Sequence, residues 1–239
     1  MHIKINLRIF IFIIIFCLTR QIGIYGILML FAFFHELGHL FTGIVLGFKP
    51  DSLSVNPLGL SINFRVCAQD YNKKILKGNV LALKKLLIAF GGPAVNFILV
   101  IVFWAIDCEL FGISQDIYIY SNLLIGIFNL IPIYPLDGGR ILKNLLHIFV
   151  GLDNTYSYTN LISNISIIIL TFFSSICILY VKNVAILLII GYLWYLVIKE
   201  NKLYNQRLRI CEVLKKELSW SNFSYFRITL LLDFLFIFF

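Results

Sequence analysis

The chain has 239 residues, of which 60% are apolar and only 13% are charged, and its mean hydropathy is +0.93. Soluble domains carry about a quarter charged residues, so a water-soluble globular fold is excluded and a polytopic membrane protein is implied. The formal charge of +8 falls in short segments between apolar runs rather than along one face, which favours topology signals over nucleic-acid binding.

Six apolar runs approach the roughly 20 residues needed to cross a bilayer: 3–19, 22–48, 86–106, 117–150, 161–181 and 184–198. The predicted fold is all-α, with about six transmembrane helices, a broken fourth span and a small cytoplasmic β-hairpin. Run 3–19 is the weakest, because its uninterrupted apolar core is short enough to require tilting or an interfacial position. Lys4 and Arg8 before it imitate a signal peptide, yet Cys17-Leu18-Thr19-Arg20 offers no small-residue cleavage site, so an uncleaved span is expected. The five cysteines are scattered without a CxxC pair and imply neither a disulfide framework nor a cysteine metal site.

The second run contains Phe34-His35-Glu36-Leu37-Gly38-His39. On a helix His35 and His39 lie one turn apart on one face, so both imidazoles can bind one Zn²⁺ while Glu36 reaches a water beside it. A buried polar cluster without a metal is the bland alternative. A carboxylate near the bilayer centre costs about 2.5–3.5 kcal/mol on insertion scales, which favours a functional site over an accident.

Between residues 49 and 85 lie seven Lys and Arg, six more lie in 199–216, and 107–116 has none. Both basic segments, and with them the C-terminus, are expected in the cytoplasm of a multi-pass cell-membrane protein. Inside the first basic loop, the alternation of Ser61-Ile62-Asn63-Phe64-Arg65-Val66 after Asn56-Pro57-Leu58-Gly59 predicts the hairpin. It serves either as a cover on the membrane surface or as an edge strand that pairs with extended substrate. Residues 71–83 read as an interfacial amphipathic helix.

The third run opens with Phe90-Gly91-Gly92-Pro93-Ala94-Val95-Asn96. Its glycines permit close helix packing, and Pro93 can free backbone carbonyls. The Asn96 amide requires a partner in hydrocarbon, either a neighbouring helix or a bound group such as substrate. The fourth run is interrupted by Asn129-Leu130-Ile131-Pro132-Ile133-Tyr134-Pro135-Leu136-Asp137-Gly138-Gly139-Arg140, which cannot continue a regular helix. Irregular backbone at membrane depth lines a cavity or is buried in protein, so this break is expected beside the histidines, with Asp137 the best candidate for a third metal ligand.

The last two runs read as scaffold. Leu203, Leu208, Ile210, Val213, Leu214 and Leu218 among basic residues suggest an amphipathic cytoplasmic helix. Residues 1–199 are thus read as one intramembrane unit, and 200–239 as an amphipathic helix with an apolar tail rather than a second domain.

Taken together, HELGH, FGGPAVN and NLIPIYPLDGG resemble the site-2 family of intramembrane zinc metalloproteases over roughly residues 1–215. In length and layout the chain is most similar to the sporulation branch, which processes a membrane-associated sigma factor precursor. The resemblance implies His35, His39 and Asp137 as ligands of one Zn²⁺ per chain and Glu36 as the catalytic glutamate. It also associates Asn129 and Pro135 with substrate binding and active-site shape. Two departures stand out: no PDZ domain is inserted between the spans, and no nucleotide-sensing domain fits the 40 residues after Lys199. Control by inhibitory membrane proteins is therefore expected in place of a nucleotide. The leading function is a zinc endopeptidase acting on a membrane-associated protein in the cytoplasmic half of the bilayer. A zinc-dependent transporter would also use a broken helix but should show inverted repeats, and a non-catalytic membrane binding protein would have no reason to keep all four site residues.

Overall fold

The computed structural model describes residues 2–5, 8–18, 20, 22–56, 59–65, 75–106, 114–181 and 185–220. In chain order the elements are β1 (His2–Ile5), α1 (Arg8–Leu18), α2 (Ile22–Val45), β2 (Lys49–Asn56), β3 (Gly59–Arg65), α3 (Ile75–Ile106), α4 (Gln115–Leu130), α5 (Asp137–Val150), α6 (Leu152–Val181) and α7 (Ala185–Trp220). Among the described residues three helical stretches are long and apolar enough to cross a membrane: Ile22–Val45, Val80–Ile106 and Asn154–Ile178. Their outward faces carry large apolar side chains, among them Phe41 at 72% and Phe172 at 65% exposure. Asn96, Asn122 and Thr155 are instead sealed inside, the distribution expected when the surrounding solvent is hydrocarbon.

Several expected boundaries are corrected. The first run does not form one span: residues 2–5 are a strand, and α1 has 11 residues, about 16 Å of helix against a hydrocarbon core of about 30 Å. The interfacial helix expected at 71–83 is not separate where it is described, because Ile75 onward runs unbroken into the third span as α3. Likewise α7 unites the sixth run and the amphipathic segment in one 36-residue helix. In both places charged residues mark where hydropathy falls, but nothing in the backbone chemistry stops the helix. The turn at Pro57 and Leu58, the loop 107–113 and the tail 221–239 lie outside the described residues.

The helix α2 ends where the sequence allows it to reverse. Gly47 adopts φ +89°, and the Phe48 N–H donates to Gly43 O at 2.9 Å, a glycine-terminated C-cap that turns the chain into β2. The expected hairpin is the β2–β3 pair, antiparallel from Lys49 opposite Arg65 to Asn56 opposite Gly59. The sequence did not reveal its third strand: β1 pairs in parallel with β2, giving the order β1-β2-β3. Phe64 of β3 lies against Gly43, where any Cβ would collide with its ring, so the sheet docks on the last turns of α2.

At the centre α3 packs against α2, α4 and α5. The approach to α2 is close because Gly38 and Gly91 face each other; a Cβ at Gly91 would fall 2.9 Å from the Gly38 carbonyl oxygen. A separate apolar cluster of Ile133, Ile167, Leu193 and Val197, all at 1% exposure or less, joins the α4–α5 break to α6 and α7.

Candidate metal centre

His35 and His39 project from one face of α2, and Asp137 is the first residue of α5. The 131–136 break brings that aspartate to them, as the interruption in the sequence led one to expect. The return is tight: a Cβ at Gly138 would collide with Leu130 O and lie 2.5 Å from Ile131 O, and one at Gly139 would lie 2.6 Å from Tyr134 Cα. Only glycine at these two positions lets α5 start directly against the end of α4. Within the break the Tyr134–Pro135 peptide is cis, and the Leu136 N–H donates to Ile133 O at 2.8 Å.

The three ligand atoms converge. Asp137 Oδ2 is 2.8 Å from His35 Nε2 and 3.1 Å from His39 Nε2, and the two Nε2 atoms are 3.1 Å apart. All three residues are about 4% exposed.

Hydrogen bonds behind the histidines assign their tautomers. His39 Nδ1 lies 2.7 Å from the carbonyl oxygen of Ile88 and 3.2 Å from the Gly92 nitrogen; a carbonyl oxygen only accepts, so the shorter contact makes Nδ1–H the donor to Ile88. Pro93 does not break α3, and the carbonyl that receives His39 lies just over one turn before it. His35 Nδ1–H donates to Asn96 Oδ1 at 2.5 Å. Asn96 is oriented in turn, since its Nδ2 donates to Asn122 Oδ1 at 3.0 Å and Asn122 Nδ2 donates to Tyr118 O at 2.9 Å. Of the two partners open to Asn96 in the sequence, the structure supplies a neighbouring helix: both ends of its amide are engaged and it is 0% exposed.

With both Nδ1 atoms protonated, the Nε2 atoms present lone pairs, and an ionised carboxylate only accepts. Three acceptors within 3.1 Å of one another, with no proton to share, repel unless a cation lies among them. Their separations approach the roughly 3.3 Å edge of a tetrahedron with zinc bonds of about 2.0–2.1 Å. A Cβ built on Gly92 would collide with His39 Nε2 and fall 2.6 Å from His35 Nε2, so only glycine lets α3 pass this close to the two ring nitrogens. Among the described residues this trio is the one metal-ligand cluster of His, Cys, Asp and Glu.

Glu36 is half-buried on the turn of α2 that carries the histidines. Arg140 was quoted in the sequence without a role; its Nη1 lies 3.7 Å from Asp137 Oδ1, one turn along α5, so the two carboxylate oxygens face different partners. The i,i+3 spacing was the available signal. Asn122 was also missed, although an amide in an apolar run could have flagged it. Asn129 is half-buried near the end of α4 and back-bonds to Ile125 O at 3.0 Å, and Pro135 lies in the break two residues before Asp137.

A family model described as Peptidase family M50 matches residues 114–173, which takes in α4, the break, Asp137 and α5. Over 145 residues, 58% of the chain, the sequence is 34% identical to zinc metalloprotease MJ0392 of Methanocaldococcus jannaschii, and the match covers 39% of that relative. The chain thus spans well under half of the relative's length. Among solved structures it resembles the site-2 protease from Methanocaldococcus jannaschii with a TM-score of 0.61 and 22% identity, over 83% of this chain and 89% of that one. The chain has the fold of that protein, and the two sequence likenesses are to an M50 peptidase model and a zinc metalloprotease.

Proposed function

We propose that the chain is an intramembrane zinc endopeptidase that holds one Zn²⁺ and hydrolyses a membrane-associated protein in the cytoplasmic half of the bilayer. The observation that carries this reading is the convergence of His35 Nε2, His39 Nε2 and Asp137 Oδ2, three acceptor atoms that need a cation. A bound Zn²⁺ supplies Lewis acidity, lowering the pKa of water and polarising a carbonyl oxygen.

The protein's own residues supply the rest. Glu36 takes a proton from the attacking water onto its carboxylate and passes it to the leaving amine. Asn96 and the Ile88 carbonyl hold the two imidazoles in the tautomer that leaves Nε2 free, and Arg140 keeps the second Asp137 oxygen turned away. Substrate enters in extended form, because a helix keeps its carbonyls hydrogen-bonded; Asn129 and Pro135, flanking the break, are the residues proposed to contact it. Within the family, the layout supports the sporulation branch, with a sigma factor precursor as substrate and membrane proteins as inhibitors. The test is incubation of the purified chain with a membrane-tethered precursor: one Zn²⁺ per chain and cleavage abolished by EDTA are expected, and metal-free chain that cleaves would overturn the reading.

A further inference from the structure

The break also borders a second polar space, whose lining includes Tyr134 but none of His35, Glu36, His39 and Asp137. A cavity of about 40 Å³ is walled by the break, α5, α6 and α7, through Tyr134, Lys143, Tyr156, Asn201 and Arg207 among others. One enclosed water needs about 10–15 Å³, so about three oxygen-sized groups fit. Lys143 Nζ lies 4.2 Å from the centre of the Tyr156 ring and 5.1 Å from that of Tyr134, while the Arg207 guanidinium carbon lies 5.7 Å from the Tyr156 ring. Both cations therefore lie against the Tyr156 ring. Glu200 also lines the cavity and offsets part of that charge. With two cations and one carboxylate, the lining carries a net positive charge.

The third feature is an acceptor. Asn201 Nδ2 donates to Asn164 Oδ1 at 2.9 Å, and its Oδ1 is buried without a donor from the protein. Such an oxygen calls for a hydroxyl or amine from elsewhere. On α6 the lining runs from Tyr156 to Ser163, two to nine residues inside the Asn154–Ile178 stretch, so the cavity lies along the first turns of a helix long and apolar enough to cross a membrane, within reach of a lipid headgroup.

We propose that this cavity binds a phosphate ester bearing a free hydroxyl, the chemistry of a phosphatidylglycerol headgroup. Lys143 and Arg207 take the phosphate, as basic pockets between membrane helices do, and Asn201 Oδ1 accepts the hydroxyl. Occupancy also bears on the metal centre, because Tyr134 is three residues before Asp137 and its N–H is already tied to Ser163 Oγ at 2.9 Å. A ligand against Tyr134 steadies the break from which Asp137 extends.

Binding is read without reference to cleavage, so its failure is separate from failure of the protease reading. The full chain is placed in phosphatidylcholine nanodiscs, and retention of added phosphatidylglycerol or phosphatidic acid is measured by native mass spectrometry, with soluble glycerol 3-phosphate as competitor. Phosphatidylglycerol should be retained by the wild type and at least tenfold less by the Lys143→Gln/Arg207→Gln double variant, with Arg207→Lys intermediate. Asn201→Leu, which keeps both cations, should erase the preference for phosphatidylglycerol over phosphatidic acid. Unchanged Tm and zinc content show that the variants are folded. Binding of glycerol 3-phosphate at the same residues without lipid retention would keep the site and assign it a soluble ligand. Equal retention of both lipids by wild type and all variants, or no binding of any probe to the wild type, would overturn it.

Discussion

Each of the three proposed ligands is held from behind, and that separates the jobs these residues would do. Asp137→Asn and His39→Ala remove one of three ligands and should lower bound zinc and cleavage together, as measured by metal analysis and a tethered-substrate assay. Glu36→Gln is nearly isosteric but cannot take up the proton, so zinc should stay near one per chain while hydrolysis falls by about two to four orders of magnitude, the scale of general-base loss. Full activity in Glu36→Gln would remove that residue from the chemistry. Asn96 differs again, since it touches His35 and no reacting atom. Asn96→Ala leaves His35 Nδ1–H and Asn122 Oδ1 without partners and should weaken zinc affinity about 10–100-fold, the usual effect of losing an outer-shell hydrogen bond. Titration with a competing chelator checks this, and an unchanged affinity would mean that His35 is oriented by packing alone.

Among the elements, the break between α4 and α5 does most to assemble the centre, because it lets a residue from a third helix reach two histidines on α2. Gly138→Ala tests this directly. The added methyl would meet the Leu130 carbonyl, so α5 should shift away from α4, and zinc should be lost with little change in helical circular dichroism. The break was legible in the sequence because Pro132 and Pro135, three residues apart, disfavour a continuous helix there, and the HExxH spacing marks one face of a helix by geometry alone; the two glycines that follow are helical and serve the close return of α5. What stayed hidden depends on contacts distant in the chain. No local pattern says that Ile88 will offer its carbonyl to His39, or that residues 2–5, apolar enough to pass for the start of a span, will instead pair with β2. The continuity of α3 and α7 was missed for another reason: hydropathy reports where a helix leaves hydrocarbon, not where its hydrogen-bond ladder ends.

For the molecule as a whole, the question is which half of the bilayer holds the chemistry. His39 is six residues from Val45, about 9 Å along α2, and seventeen from Ile22, about 26 Å; the centre is therefore nearer the end of α2 that leads into the sheet. That end is shared with α3, since Lys84 Nζ donates to Leu46 O at 3.1 Å, and with the basic segment 49–85. Ile106, at the opposite end of α3, leads into the segment 107–116, which has no Lys or Arg. If lysine and arginine retention sets the orientation, the sheet and the nearby metal centre face the cytoplasm. A membrane-impermeant maleimide applied to intact cells should then modify Cys108 and spare Cys67 and Cys211, with all three reacting after permeabilisation. Labelling of Cys67 in intact cells, with Cys108 protected, would reverse the chain and move proteolysis to the outer half of the bilayer, beyond the reach of a cytoplasmic precursor.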